Sequence, residues 1–294
     1  MYLGDKEADS RKFYTFSVLN FQWLTSTEKI ITILIEVNKV IKVNDRIYFY
    51  LRKTPSSNTT LIKGNVNILI DPGYNPVRKI KSLDLLTKEA GIQIKNIDEI
   101  WFTHSHPDHT ALSYYLLQEK EIKIVCHPSA KGIVKFYGSS LYIGSHAIKA
   151  DDCFSDGELR NGIKVFFLPG HTNDEVGFSL ENILITGDLI ATFSFMRPAV
   201  LNVPSSDIDD AISSLEKILK NSPDLILPGH GNCSKIDMNL VKEIHTQTVN
   251  LRERGLSLIN TTHSFIPYFL NLQKILPLFT LRIQERLALL YIIY

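Results

Sequence analysis

The hexapeptide His104-Ser105-His106-Pro107-Asp108-His109 packs three histidines and one carboxylate into six residues of a chain that has nine histidines in 294. The spacing has a chemical reason. His104 and His106 are two apart in an extended turn and point the same way, toward one cation. Asp108 and His109 lie one step further round the loop and face a second. Imidazole nitrogen and carboxylate oxygen suit zinc. The competing reading, a polar loop with solvated histidines, is weakened by further ligand-type residues later in the chain.

Working outward, Ile97–Thr103 reads as a buried strand that delivers the hexapeptide, and Thr110–Gln118 as the helix leaving it. Upstream, Ile30–Val37, Arg46–Leu51 and Val66–Ile70 are β-branched or aromatic runs between turn residues. The last ends in the turn Asp71-Pro72-Gly73, and a helical pattern over Val77–Ala90 stops near Gly91. Downstream the logic repeats. Strands at Ile122–Cys126 and Ile163–Leu168 precede Pro169-Gly170-His171-Thr172. A hairpin over Val176–Leu180 and Ile183–Thr186 ends at Gly187-Asp188. Asp207 caps an amphipathic helix to Lys220, and Asp224–Leu227 leads into Pro228-Gly229-His230-Gly231. A helix covers Asn239–Arg254. Two sets of strands, each followed by helices, predict an α/β (α+β) protein with two sheets packed together and helices outside.

His171, Asp188 and His230 each follow a strand, beside one or two glycines. Taken singly they read as turn or capping residues. A parallel-type sheet, however, gathers strand ends along one edge, where α/β proteins build sites, and three similar endings select the ligand reading. His127, His146, His245 and His263 lack that context and read as surface or satisfied histidines.

Composition sets the limits. Hydrophobic residues make up 44% and charged residues 21%, and 32 Lys+Arg balance 31 Asp+Glu. No global field draws the chain to nucleic acid or to an anionic membrane, so a small molecule is the expected partner. Cys126, Cys153 and Cys233 lack metal-type spacing and read as reduced thiols of a cytoplasmic protein. The N-terminal stretch is charged and does not read as a secretory signal, and no run is long enough to span a bilayer. The chain divides into a segment over 1–25, a domain over 26–256 and an apolar, helical extension over 257–294. The extension packs on the domain or on a second copy, as a homodimer contact.

HSHPDH, PGHT, TGD and PGHG, in this order after a strand ending in Asp-Pro-Gly, resemble the five motifs of the metallo-β-lactamase superfamily over roughly residues 30–235. The resemblance implies an αββα sandwich with the site at one edge. It implies two Zn²⁺, with Fe²⁺ or mixed Fe/Zn as the alternative. His104, His106 and His171 would bind the first ion, and Asp108, His109 and His230 the second, with Asp188 bridging. Asp71 would orient a ligand or hydrogen-bond near the bridging water, and Asp108 would accept or relay a proton. The implied chemistry is a hydroxide held between two cations, attacking an ester, thioester or lactone carbonyl.

Within the superfamily, His106 stands where diiron relatives carry Glu. Asp188 supplies a bridge that true β-lactamases lack. Glyoxalase II-like and lactonase-like hydrolysis is therefore expected ahead of β-lactam hydrolysis, and the neutral charge balance argues mildly against RNA processing. A mononuclear-iron persulfide dioxygenase shares the same HxHxDH run and is the alternative reading. Phe193, Phe195 and Arg197, just after Asp188, are candidates to line the substrate pocket, with Arg197 facing a carboxylate. The competing reading for them is an apolar loop with a surface Arg.

Overall fold

A computed structural model describes residues 38–52, 56–74, 78–130, 135–137, 145–192, 199–200, 206–233 and 236–255. The expected strand Ile30–Val37, the pocket candidates Phe193, Phe195 and Arg197, and the segments 1–25 and 257–294 lie outside these residues.

The first half builds strands β1 (Lys39–Lys42), β2 (Ile47–Leu51), β3 (Thr59–Ile62) and β4 (Ile68–Ile70), then helix α1 (Asp84–Ala90), β5 (Glu99–Trp101), helix α2 (Pro107–Glu119) and β6 (Lys123–Cys126). A hairpin of β7 (Lys135–Tyr137) and β8 (Ser145–Ala147) follows, then β9 (Asp152–Cys153). The second half supplies β10 (Leu159–Arg160), β11 (Ile163–Phe167), β12 (Val176–Leu180), β13 (Ile183–Gly187), helix α3 (Ile208–Asn221), β14 (Leu225–Pro228) and helix α4 (Met238–Glu253). One seven-stranded sheet runs β1-β2-β3-β4-β5-β6-β9, and one five-stranded sheet runs β10-β11-β12-β13-β14. Both are mixed. Pairing is antiparallel up to β4 and parallel from β4 through β9, and in the second sheet only β13 and β14 are parallel.

Side-chain alternation turns these sheets into layers. Ile47 and Phe49 of β2, Ile68 and Ile70 of β4, and Trp101 of β5 join Val165, Val176, Phe178 and Leu227 of the other sheet in one apolar cluster. Trp101 is its centre, with ring centroids 5.2 Å from both Phe154 and Phe178. Each such buried ring contributes about 1.5–3 kcal/mol over an exposed one. The alternate residues Tyr48, Leu69, Ile100 and Ile124 pack outward on Leu86, Leu112 and Leu116 of α1 and α2. Leu184 and Ile226 likewise pack on Ala211, Leu215, Ile218, Val241 and Ile244 of α3 and α4. Three cores between four layers give the expected αββα order.

Element ends depart from the expectations in two informative places. Over 77–90 the regular helix is shorter than expected: Lys79 takes φ 47°, a 3-10 turn covers Lys79–Leu83, and α1 begins only at Asp84. It stops at Gly91 (φ 66°) as expected. In contrast, α2 begins earlier than expected, at Pro107, so Asp108 and His109 lie in its first turn and not on a loop. Proline is preorganised for the first helical position, and a carboxylate is favoured at a helix N-terminus.

Candidate metal centre

Five strand ends face one place. Ile70 of β4 is followed by Asp71, Trp101 of β5 by the hexapeptide, Phe167 of β11 by the His171 loop, β13 by Asp188, and Pro228 of β14 by His230. The register keeps the first two level, because Ile70 pairs with Trp101 and the Asp71 amide donates to Trp101 O at 3.0 Å. The sheets are tied together beside the site by the Val176 amide, which donates to Thr103 O at 2.7 Å.

The change from extended to helical backbone explains how one hexapeptide serves two directions. His106 is extended (φ −62°, ψ 142°) and caps α2, and its carbonyl accepts from the His109 and Thr110 amides. His104 and His106 precede the switch and fall in one group with His171. Asp108 and His109 come after it and fall in a second group with Asp188 and His230. Within each group the ligand atoms lie within 4.8 Å of one another, and each group could hold a metal ion. His104 Nε2 and His171 Nε2 stand 2.9 and 3.0 Å from His106 Nδ1. His230 Nε2 stands 2.9 Å from Asp108 Oδ2. Asp188 Oδ2 joins the groups: it is 3.6 and 4.0 Å from the Nε2 atoms of His171 and His104, and 3.3 and 3.5 Å from those of His109 and His230.

The donor set fits cations. Asp108 Oδ1, His109 Nε2 and both oxygens of Asp188 are buried with no hydrogen-bond partner, although such atoms are costly to leave unmatched. Among the described residues no Lys or Arg pairs with Asp71, Asp108 or Asp188, so three buried carboxylates have only imidazoles for counter-charge. Burial, reinforced by the neighbouring imidazoles, holds His104 well below the usual histidine range. Burial also lowers His106. Both shifts favour the neutral imidazole, the form that can ligate a cation. Burial opposes ionisation of Asp188, but His230 and His109 outweigh it and hold the carboxyl well below its usual range. For His109 burial disfavours the charge, yet Asp188, Asp108 and Asp71 together raise it well above the usual range.

Asp71 is apart from both groups. Its Oδ2 accepts from His109 Nδ1 at 2.8 Å and from Thr103 Oγ1 at 2.6 Å, and its Oδ1 accepts from the Thr103 amide at 2.9 Å. This turns His109 Nε2 toward Asp188 and Asp108. Two glycines allow the close approach. A Cβ on Gly229 would collide with Asp188 Oδ1, and one on Gly170 would stand 2.6 Å from Ala211 Cα in α3.

Three polar residues around the site escape the sequence reading. Asn58 donates to Pro228 O and Gly231 O at 3.0 and 2.9 Å and so holds the His230 turn from both sides. Arg52 is buried, which lowers its pKa to about 10, and it donates to Pro72 O at 2.6 Å beneath the Asp71 turn. Glu175 is fully buried directly before the apolar run of β12.

The family model described as "Metallo-beta-lactamase superfamily" matches residues 52–230. The protein named Probable metallo-hydrolase MJ0888, from Methanocaldococcus jannaschii, is 32% identical over 190 residues, which is 60% of this chain and 88% of that protein. Hydroxyacylglutathione hydrolase 1 of Vibrio vulnificus is 30% identical over 151 residues, and the chain spans 51% of its length. The metallo-beta-lactamase structure from Pontibacter korlensis superposes with a TM-score of 0.58 at 17% identity, covering 73% of this chain and 100% of that one, which is a likeness of fold. With the family model matched from Arg52 to His230, across every strand end that faces the site, this chain belongs to the metallo-beta-lactamase superfamily.

Proposed function

We propose that the protein hydrolyses an ester, thioester or lactone of a small molecule at a two-ion centre. The position of Asp188 Oδ2, within 4.0 Å of imidazole nitrogens from both groups, carries this reading. A carboxylate in that place suits a bridge between two cations, and two groups call for two ions. Zinc is the metal proposed, from the nitrogen-rich donor set. Two such ions supply a nucleophile at neutral pH by lowering the pKa of water.

The residues divide the remaining work. His104, His106 and His171 would hold one ion, and Asp108, His109 and His230 the other, with Asp188 available to both. Asp71 fixes the His109 ring by accepting its Nδ1 proton. Asp108 Oδ1, which is buried and unmatched, would take a proton from the incoming nucleophile. The similarity to a hydroxyacylglutathione hydrolase supports a carbonyl substrate, and a thioester first among carbonyl classes.

The test is metal quantification on protein purified without added metal, followed by turnover assays on thioesters, lactones, phosphodiesters and a chromogenic β-lactam. Two zincs per chain with thioester or lactone turnover is the expected result. A single iron with sulfur-dependent oxygen uptake would replace hydrolysis with persulfide oxidation.

A further inference from the structure

We propose that Glu175 is a positioning residue for Asp188, holding the turn that aims the shared carboxylate at both histidine groups. The inference rests on the two-ion reading, because it needs Asp188 to be a ligand.

The turn after β13 is irregular. Pairing with β14 skips from Ile185 to Gly187, so the strand ladder does not carry regularly into residue 188. Glu175, thirteen residues earlier at the entry to β12, supplies the missing acceptor. Its Oε1 takes the backbone N–H of Asp188 at 2.5 Å and that of Leu189 at 3.1 Å. Two amides converging on one acceptor oxygen fix the turn by direction, while burial and the nearby Asp188 push the Glu175 carboxyl well above its usual range. The neighbouring glycine is shaped to it: Gly187 has φ 59°, and a Cβ there would stand 2.5 Å from Glu175 Oε1. The same oxygen is 3.9 Å from His104 Nδ1, on the side of that ring away from Asp188. The nearer partner of that nitrogen is Thr103 Oγ1 at 3.1 Å, so the hold of Glu175 is on the Asp188 turn.

Core packing alone does not explain an acid here. Glu175 is fully buried, its Oε2 has no hydrogen-bond partner, and among the described residues no Lys or Arg pairs with it. An apolar side chain would fill the same volume without that desolvation cost. The two amides of the Asp188 turn are what the side chain is placed to serve.

The experiment uses the full chain as wild type, Glu175→Gln, Glu175→Met and Asp188→Asn. Zinc content after purification and zinc release to a chromophoric chelator are read, with the melting temperature of the metal-stripped proteins alongside. Gln keeps the Oε1 acceptor, and Met fills the volume without one. Met is expected to release zinc about 10–100-fold more readily, the scale typical for groups that orient ligands, while Gln stays close to wild type. A Met variant as retentive as wild type, or a Gln variant as leaky as Met, would overturn the positioning role. Gln is close enough in shape to decide even where Met unfolds. The wild-type and Asp188→Asn proteins separate the two levels: a wild type with fewer than two ions per chain overturns the two-ion reading, and an Asp188→Asn protein that keeps both ions as tightly as wild type overturns Asp188 as the shared ligand.

Discussion

The two sheets deliver their candidate ligands by different routes. The first gives four of the seven from a single segment, His104 to His109, where the five residues after β5 lead into α2. The second gives three from three separate loops after β11, β13 and β14, each pinned by contacts from elsewhere. Ser206 Oγ and the Asp207 amide hold the His171 loop, Glu175 holds the Asp188 turn, and Asn58 holds the His230 turn. The local segment sets the order and spacing of its four side chains by itself, although Asp71 and Asp174 also brace it, whereas the dispersed three owe their meeting wholly to outside support. The first route depends on sequence spacing and the second on tertiary structure.

The sharpest way to break the contrast is to remove one ligand from each route. His104→Ala and Asp188→Ala should each lower zinc content by about one ion per chain and abolish turnover. Elemental analysis beside steady-state rates checks this, and wild-type content in both would sink the assignment of the two groups. A smaller effect comes from the residue that orients His109 from the first sheet. Asp71→Asn should weaken metal affinity about 10–100-fold with the fold intact, read by chelator competition. If support matters more on the dispersed side, Asn58→Ala should cost about 1–3 kcal/mol, because the Arg52 amide loses its acceptor and two carbonyls lose their donor. Its denaturation midpoint should drop together with metal retention; a drop in stability alone would remove Asn58 from the support of His230. The smallest change is at a distance from the ions. Asp207 caps α3 by accepting the Asp209 and Asp210 amides, so Asp207→Ala should cost about 1 kcal/mol in a denaturant melt. Altered zinc affinity there would show that the second-sheet loops are coupled through α3.

This contrast also explains what is legible in the sequence. The hexapeptide announces itself because its donors are adjacent in the chain and their types belong together. His171, Asp188 and His230 are legible only as recurring strand-to-glycine endings, and it takes the resemblance to a family to give them roles. The structure brings the seven side chains into two adjoining groups and sets Asp71 Oδ2 2.8 Å from His109 Nδ1. The layer order is legible from the strand and helix alternation, and the caps at Asp207 and Gly91 from their residue types. The short strands β1, β3, β9 and β10 are not, since two to four residues leave too little periodicity to detect. The start of α2 is hidden because a metal-type motif reads as loop throughout. Asn58 and Glu175 are invisible because their partners lie 170 and 13 residues away, at backbone atoms that any residue type would offer.

Asp71 stands at φ 49°, in left-handed backbone that Asp and Asn accept far more readily than longer acids. Gly and Asn could replace it without backbone penalty, but neither brings the negative charge; Glu brings the charge but not the backbone. Gradual drift at this position is therefore nearly closed. A descendant lineage that abandons Asp here alters how the His109 imidazole is held in the same step, so divergence of metal preference in such a chain has a natural starting point at a turn that touches no metal.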